Sequence, residues 1–174
     1  MNKKMLLSLI DKEVKVDRGG PESRVGKLLS VEDDHFTLLT ADDGIIYYNT
    51  QHIKSLTINT KNQTQLGFEI PKKFEYITAN DFKGVLGKLA LRWVKVNRGG
   101  PETLEGVMDY VDDDYITIVS NEEIVRISLF HIRNISYGVK IEKPKENEQA
   151  NGGRNNQERA KNNSKKNDSN KESE

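Results

Sequence analysis

The residues best placed to do chemistry occur twice, as Arg-Gly-Gly-Pro-Glu at 18–22 and again at 98–102. Arg18 and Arg98 are planar cationic donors suited to carboxylates. Glu22 and Glu102 are the matching acceptors. Gly19, Gly20, Gly99 and Gly100 permit positive φ, and Pro21 and Pro101 fix the exit direction of the chain. A phosphate-cradling loop would need Gly-x-x-x-x-Gly-Lys-Ser/Thr. Here five residues separate Gly20 from Gly26, Leu28 follows the lysine, and Val107 replaces that lysine in the second copy. An RGG box would need many tandem copies, and each motif here is single. Two readings remain: a partner-binding loop, or a structural turn in which Arg18 pairs with Glu22 and Arg98 with Glu102. The Gly-Gly-Pro backbone favours the turn.

Two further constellations deserve the same weighing. His52 and His131 are equivalent in the repeat, but no His-x-x-x-His or His-Glu-x-x-His spacing surrounds them. Metal sites need three or four converging ligands, and a catalytic histidine needs an oriented partner. They read as structural corner residues. Asp33-Asp34 and Asp112-Asp113-Asp114 are acidic turns, expected to be solvated rather than cation-binding. No catalytic residue, cofactor site or metal site is expected.

The motifs belong to a longer duplication. At a spacing of 80, Gly26 answers to Gly106, Val31 to Val111, Asp33-Asp34 to Asp113-Asp114 and Thr37 to Thr117. One residue is then lost, and at 79 Ile45 answers to Ile124 and His52-Ile53 to His131-Ile132. A fixed-period match means a duplicated structural unit. In each copy a short helical stripe precedes five strands. Met5, Leu6, Leu9 and Ile10 form the first stripe, capped by Asn2, and Phe82, Val85, Leu86, Leu89 and Trp93 the second, capped by Asn80. Alternation and turn residues predict strands near 14–16, 23–31, 35–40, 45–48 and 53–58, then 93–98, 103–111, 115–120, 123–128 and 132–137. Gly26 inside a strand predicts a bend or bulge. The organisation is a first module over 1–58, a connector over 59–79, a second module over 80–139 and a polar tail over 140–174.

The chain has 27 Lys plus Arg and 27 Asp plus Glu in 174 residues, and no cysteine. Disulfide and thiol chemistry are thereby excluded. From Glu142 to Glu174 the only apolar residues are Ala150 and Ala160, a composition expected to stay disordered. The body before the tail carries a net charge of −2. It has no field that would draw in nucleic acid or an anionic membrane. Met5 to Ile10 is too short for a signal-peptide core, and no stretch approaches a membrane span. Synthesis in the cytosol is expected.

A helix followed by five short, bent strands resembles the Sm-like small barrel, and Val-Gly-Lys-Leu-Leu-Ser-Val-Glu-Asp-Asp at 25–34 is similar to its first signature. Other SH3-like barrels have the same strand count. The fold expected is therefore mainly β: two tandem Sm-like or SH3-like barrels, each preceded by a short helix. The paired Arg-Gly-Gly-Pro-Glu motifs, with Val-Asn-Arg-Gly-Gly-Pro-Glu-x-x-Glu-Gly at 96–106 and Phe-His-Ile-Arg-Asn-Ile-Ser at 130–136, resemble the spore coat protein B family of Bacillus over roughly residues 1–140. That resemblance implies a non-enzymatic structural component of the endospore coat, made in the mother cell and deposited on the forespore. Its partners would be other coat proteins, with self-association a further expectation. The rival function is an RNA-binding Sm-like module. The duplication also suggests that the modules pack on each other through their helix stripes, leaving outer edge strands free.

Overall fold

In a computed structural model of the chain, residues 1–61 and 75–137 are described, and all belong to one unit, Met1–Lys143. The polar tail and most of the connector, with Leu66, Phe68, Ile70 and Phe74, lie outside the described residues.

The first module opens with α1 (Lys3–Leu7), where the Asn2 side chain accepts the Met5 amide at 3.2 Å. Strands β1 (Glu13–Val16), β2 (Arg24–Val31), β3 (His35–Thr40), β4 (Gly44–Asn49) and β5 (Leu56–Thr57) follow. The second module repeats the order: α2 (Phe82–Lys88), then β6 (Trp93–Val96), β7 (Leu104–Val111), β8 (Tyr115–Ser120), β9 (Glu123–Ser128) and β10 (Asn134–Tyr137). Asp81, not Asn80, caps α2, accepting the Gly84 amide at 2.6 Å. The fifth strand is shorter than its apolar run suggested. Its entry is held by a side chain, because Asp17 Oδ1 accepts the amides of Lys54 and Ser55 at 3.0 and 3.4 Å. Asn97 holds the equivalent corner, accepting the Arg133 amide at 2.8 Å. Asp17 and Asn97 both adopt positive φ, as Asx residues tolerate best outside glycine.

All pairings are antiparallel, and the ten strands form one sheet in the order β5-β1-β2-β3-β4-β10-β6-β7-β8-β9. This corrects the expectation of two separate barrels. The sheet is continuous and open, and the modules join where β4 pairs with β10. The repeat survives in its irregularities. The β2–β3 register shifts between Leu28 and Ser30, and β7–β8 shifts between Met108 and Tyr110. Gly26 and Gly106 lie near those bulges, in regular pairing. A Cβ on either would collide with the carbonyl oxygen of Leu39 or Val119.

Alternation along β4 explains why it is buried on both faces. Ile46 and Tyr48 enter a core with Leu6, Leu9 and Phe36, whereas Ile45 and Tyr47 enter a second core with Val85, Leu86 and Leu89. Each helix stripe therefore packs into a sheet-lined core of its own, not against the other helix. The second core draws Leu39, Ile45 and Tyr47 from the first module, so the modules share it. Tyr76 and Ile77 of the connector pack on this core, and the Tyr47 hydroxyl accepts the Ile77 amide at 2.9 Å. Burial pushes the Tyr47 phenol up to about 12 and raises Tyr48 as well.

Candidate functional site

The seam between the modules is where the two Arg-Gly-Gly-Pro-Glu motifs meet. Strand pairing aligns Asn134 with Tyr48, Ile135 with Tyr47, Ser136 with Ile46 and Tyr137 with Ile45. The Asn49 amide extends the seam to the Arg133 carbonyl at 3.0 Å. Each motif sits where the first strand of its module turns towards the second, so the seam brings them together across its end.

From the second motif, Arg98 reaches over the seam. Its guanidinium donates to Asp43, in the β3–β4 turn of the first module, and to the Ser136 hydroxyl. Arg24 donates to the same Asp43 carboxylate. The Arg98 and Asp43 side chains are only 14% and 10% exposed. Burial lowers the Arg98 guanidinium below its ordinary value, with the Asp43 charge opposing that shift. From the first motif, Glu22 accepts Arg133 of the second module through one oxygen and Lys54 through the other, the latter at 2.8 Å. Gly99 lies directly on the first motif: with φ +83°, its missing Cβ would collide with the Pro21 carbonyl. A Cβ on Gly100 would meet the Arg133 guanidinium and Glu22 Oε1.

The pairs expected within each motif, Arg18 with Glu22 and Arg98 with Glu102, are thus replaced by pairs between modules. The remaining halves are uncovered. Arg18, Gly19, Gly20, Pro101 and Glu102 are all exposed or half-exposed at the surface. Among the described residues, neither the Arg18 guanidinium nor the Glu102 carboxylate has a partner. Positive φ falls on Gly20 (+81°) in the first motif but on Gly99 in the second, so the glycine pair holds two loop conformations.

The histidines and acidic turns have structural surroundings. Phe130 stands edge-on to both His52 and His131, at ring distances of 5.7 and 5.2 Å. The two histidines border an open groove beside β9 that also touches Glu102, Arg126 and Arg133. The acidic turns tie down the helices rather than facing solvent alone. Lys3 bonds Asp33 at 2.8 Å, Lys83 bonds Asp113, and Asp34 accepts the Phe82 amide at 2.9 and 3.0 Å. Among the described residues no cluster of three or more His, Cys, Asp or Glu could hold a metal ion, and no helix is long and apolar enough to cross a membrane. Sequence reasoning missed Asp43, Arg133 and Ser136. The Asp-Gly turn at 43–44 marked a hairpin, but nothing local connects it to an arginine 55 residues away.

No protein-family model and no solved structure matches the chain. It is 40% identical over 140 residues to Spore coat protein B of Bacillus subtilis (strain 168), a match covering 80% of this chain and 36% of that protein. The chain thus spans about a third of the length of its relative, and the matched portion is large enough to contain both modules. On this similarity the chain belongs to the spore coat protein B family.

Proposed function

We propose that this chain is a structural, non-enzymatic component of the endospore coat that works through protein–protein contacts. The observation that carries this reading is the seam. A turn present twice in the sequence lies at the joint between the modules, where Arg98, Gly99 and Gly100 of the second copy meet Asp43, Pro21 and Glu22 of the first module. A motif that already joins one module to another is suited to joining further copies or other coat proteins. The similarity to a protein named for the spore coat supplies the setting. Its place would be the coat, after synthesis in the mother cell. On the exposed edge at β9, Glu122, Glu123 and Ile124 outnumber the one basic residue, Arg126. That edge suits protein partners better than a phosphate backbone.

The test is crosslinking of the tagged full chain in sporulating cells, with protein and RNA recovered separately. Coat proteins as the reproducible partners are the expected result. Recovery of RNA in place of coat proteins would replace this reading with the RNA-binding one.

A further inference from the structure

We infer that the chain associates head to tail with further copies of itself, through a second seam built like the internal one. The edge strand β9 of one copy would pair with β5 of the next. The inference rests on the reading above only for its cellular setting. The geometry stands by itself.

The internal seam supplies the template, because the two modules are related by the repeat. In that seam the first module contributes β4, Asp43, Pro21 and Glu22, and the second contributes β10, Arg98, Gly99 and Arg133. Among the described residues the counterpart of each contributor lies at the sheet's two ends with no strand on its outer side, Lys54 meanwhile bonding Glu22 of its own module at 2.8 Å. β9 is the counterpart of β4, and β5 of β10, and these are the two terminal strands. Shifting the internal register by the repeat pairs Ile127 with Ser55, Arg126 with Leu56, Val125 with Thr57 and Ile124 with Ile58. Arg18 stands for Arg98, and Glu122 occupies the position in the β8–β9 turn that Asp43 holds in the first module, with Glu123 beside it at the start of β9. Lys54 stands for Arg133, Glu102 for Glu22, and Gly19 for Gly99 against Pro101. Arg18 opposite Glu122 and Lys54 opposite Glu102 have the signs the second seam requires, whereas Leu104 stands where Arg24 reinforces Asp43 in the internal seam. Nothing lies within 4 Å of a Cβ placed on Gly19, whereas the Pro21 carbonyl closes that space over Gly99.

The apolar surface says the same. Leu39, Ile45 and Val85, buried in the shared core, are 0%, 5% and 0% exposed. Their counterparts Val119, Ile124 and Met5 are 36%, 64% and 40% exposed. Val119 and Ile124 lie at the β9 end, and Met5 lies on α1, the counterpart of the helix that packs on β4 across the internal seam, so a neighbouring copy would cover them. Some counterparts differ: Arg126 replaces Tyr47 and Asn2 replaces Phe82, so the second seam buries less apolar surface and is weaker and reversible. Such an interface is heterologous, one face meeting a different face, so assembly continues beyond two copies until it closes or forms a fibre.

The experiment uses purified full-length chain, with mass measured by light scattering across a wide concentration range. Ile124→Asp blocks the β9 end and Ile58→Asp the β5 end. Both residues are exposed, and circular dichroism checks that each variant folds. Wild type is expected to grow beyond the dimer with concentration, each variant to stay monomeric, and an equimolar mixture of the two to stop at two chains. Wild type monomeric throughout would overturn the inference, as would a variant that still grows like wild type or a mixture that forms no pair. A symmetric β9-to-β9 contact is separately visible, since Ile58→Asp alone would then dimerise. A chain that stays monomeric yet is crosslinked to coat proteins would sink this inference and leave the proposed function standing.

Discussion

The Arg98 guanidinium is ion-paired with the Asp43 carboxylate across the seam, joining residues 55 apart in sequence that lie in different copies of the repeat. Both groups are largely removed from water, and Arg24 and Ser136 complete their hydrogen bonding. Removing one partner strands the other's charge, which for a buried pair costs more than the pair itself contributes.

Arg98→Ala and Asp43→Ala are each expected to destabilise the fold by roughly 2–4 kcal/mol, with a coupling of about 1–3 kcal/mol in a double-mutant cycle. Arg18→Ala, the same substitution at the uncovered copy, should stay within about 0.5 kcal/mol at concentrations where the chain is monomeric. Urea denaturation of the five proteins, wild type and the double variant included, measures all of these values. Equal losses at Arg18 and Arg98 would show that the two motifs are used alike.

The glycines give a second asymmetry. Gly99→Val forces a branched residue into the left-handed region and onto the Pro21 carbonyl. A loss of about 1–3 kcal/mol from the backbone alone is expected, with the collision added to it. Gly19 has neither positive φ nor a neighbour, so Gly19→Val should melt as wild type does. In the first motif the sensitive position is Gly20, at φ +81°.

Gly26→Ala and Gly106→Ala test the repeat itself. Each Cβ would strike the carbonyl of the neighbouring strand, Leu39 in one case and Val119 in the other. Each is expected to cost about 1–3 kcal/mol, the usual range for overpacking. Thermal melts of the two variants should fall together, and a neutral Gly106→Ala would show that strand approach in the second module is looser than in the first.

Tyr47 sets an alkaline limit. Its phenol is raised from 10.0 to about 12, chiefly by burial, so the folded chain holds this proton more tightly than the unfolded chain. The associated stability is fully present below pH 10 and is lost as pH rises towards 12. Absorbance titration should show Tyr47 and Tyr48 ionising later than an unperturbed phenol. In Tyr47→Phe the late component should shrink, and the Ile77 amide loses its acceptor at a cost of about 1 kcal/mol. A single early transition for every tyrosine would contradict this burial.

Much of the local structure was legible in the sequence. Alternation in Val14-Lys15-Val16, the Asp43-Gly44 turn and the helix stripes placed the elements close to where they lie, because these signals depend on neighbours in the chain. The pairing of β4 with β10 was not legible. Nothing in Ile45–Tyr48 distinguishes a strand that closes its own module from one that accepts a strand 85 or more residues later. The same limit explains the motif. Arg18 and Glu22 are close in sequence, and simple proximity suggested their pairing. Their actual surroundings are decided by the seam, which gives Glu22 to Arg133 and leaves Arg18 exposed. The fifth strand was overextended because Asp17, a residue 37 positions before Lys54, takes the amides that begin it.

The position of the tagged full chain in sporulating cells tests the proposed role most directly. The expected result is a shell around the developing forespore that persists on the released spore and is removed by coat extraction. A signal that stays spread through the mother cell and is absent from purified spores would contradict a coat component.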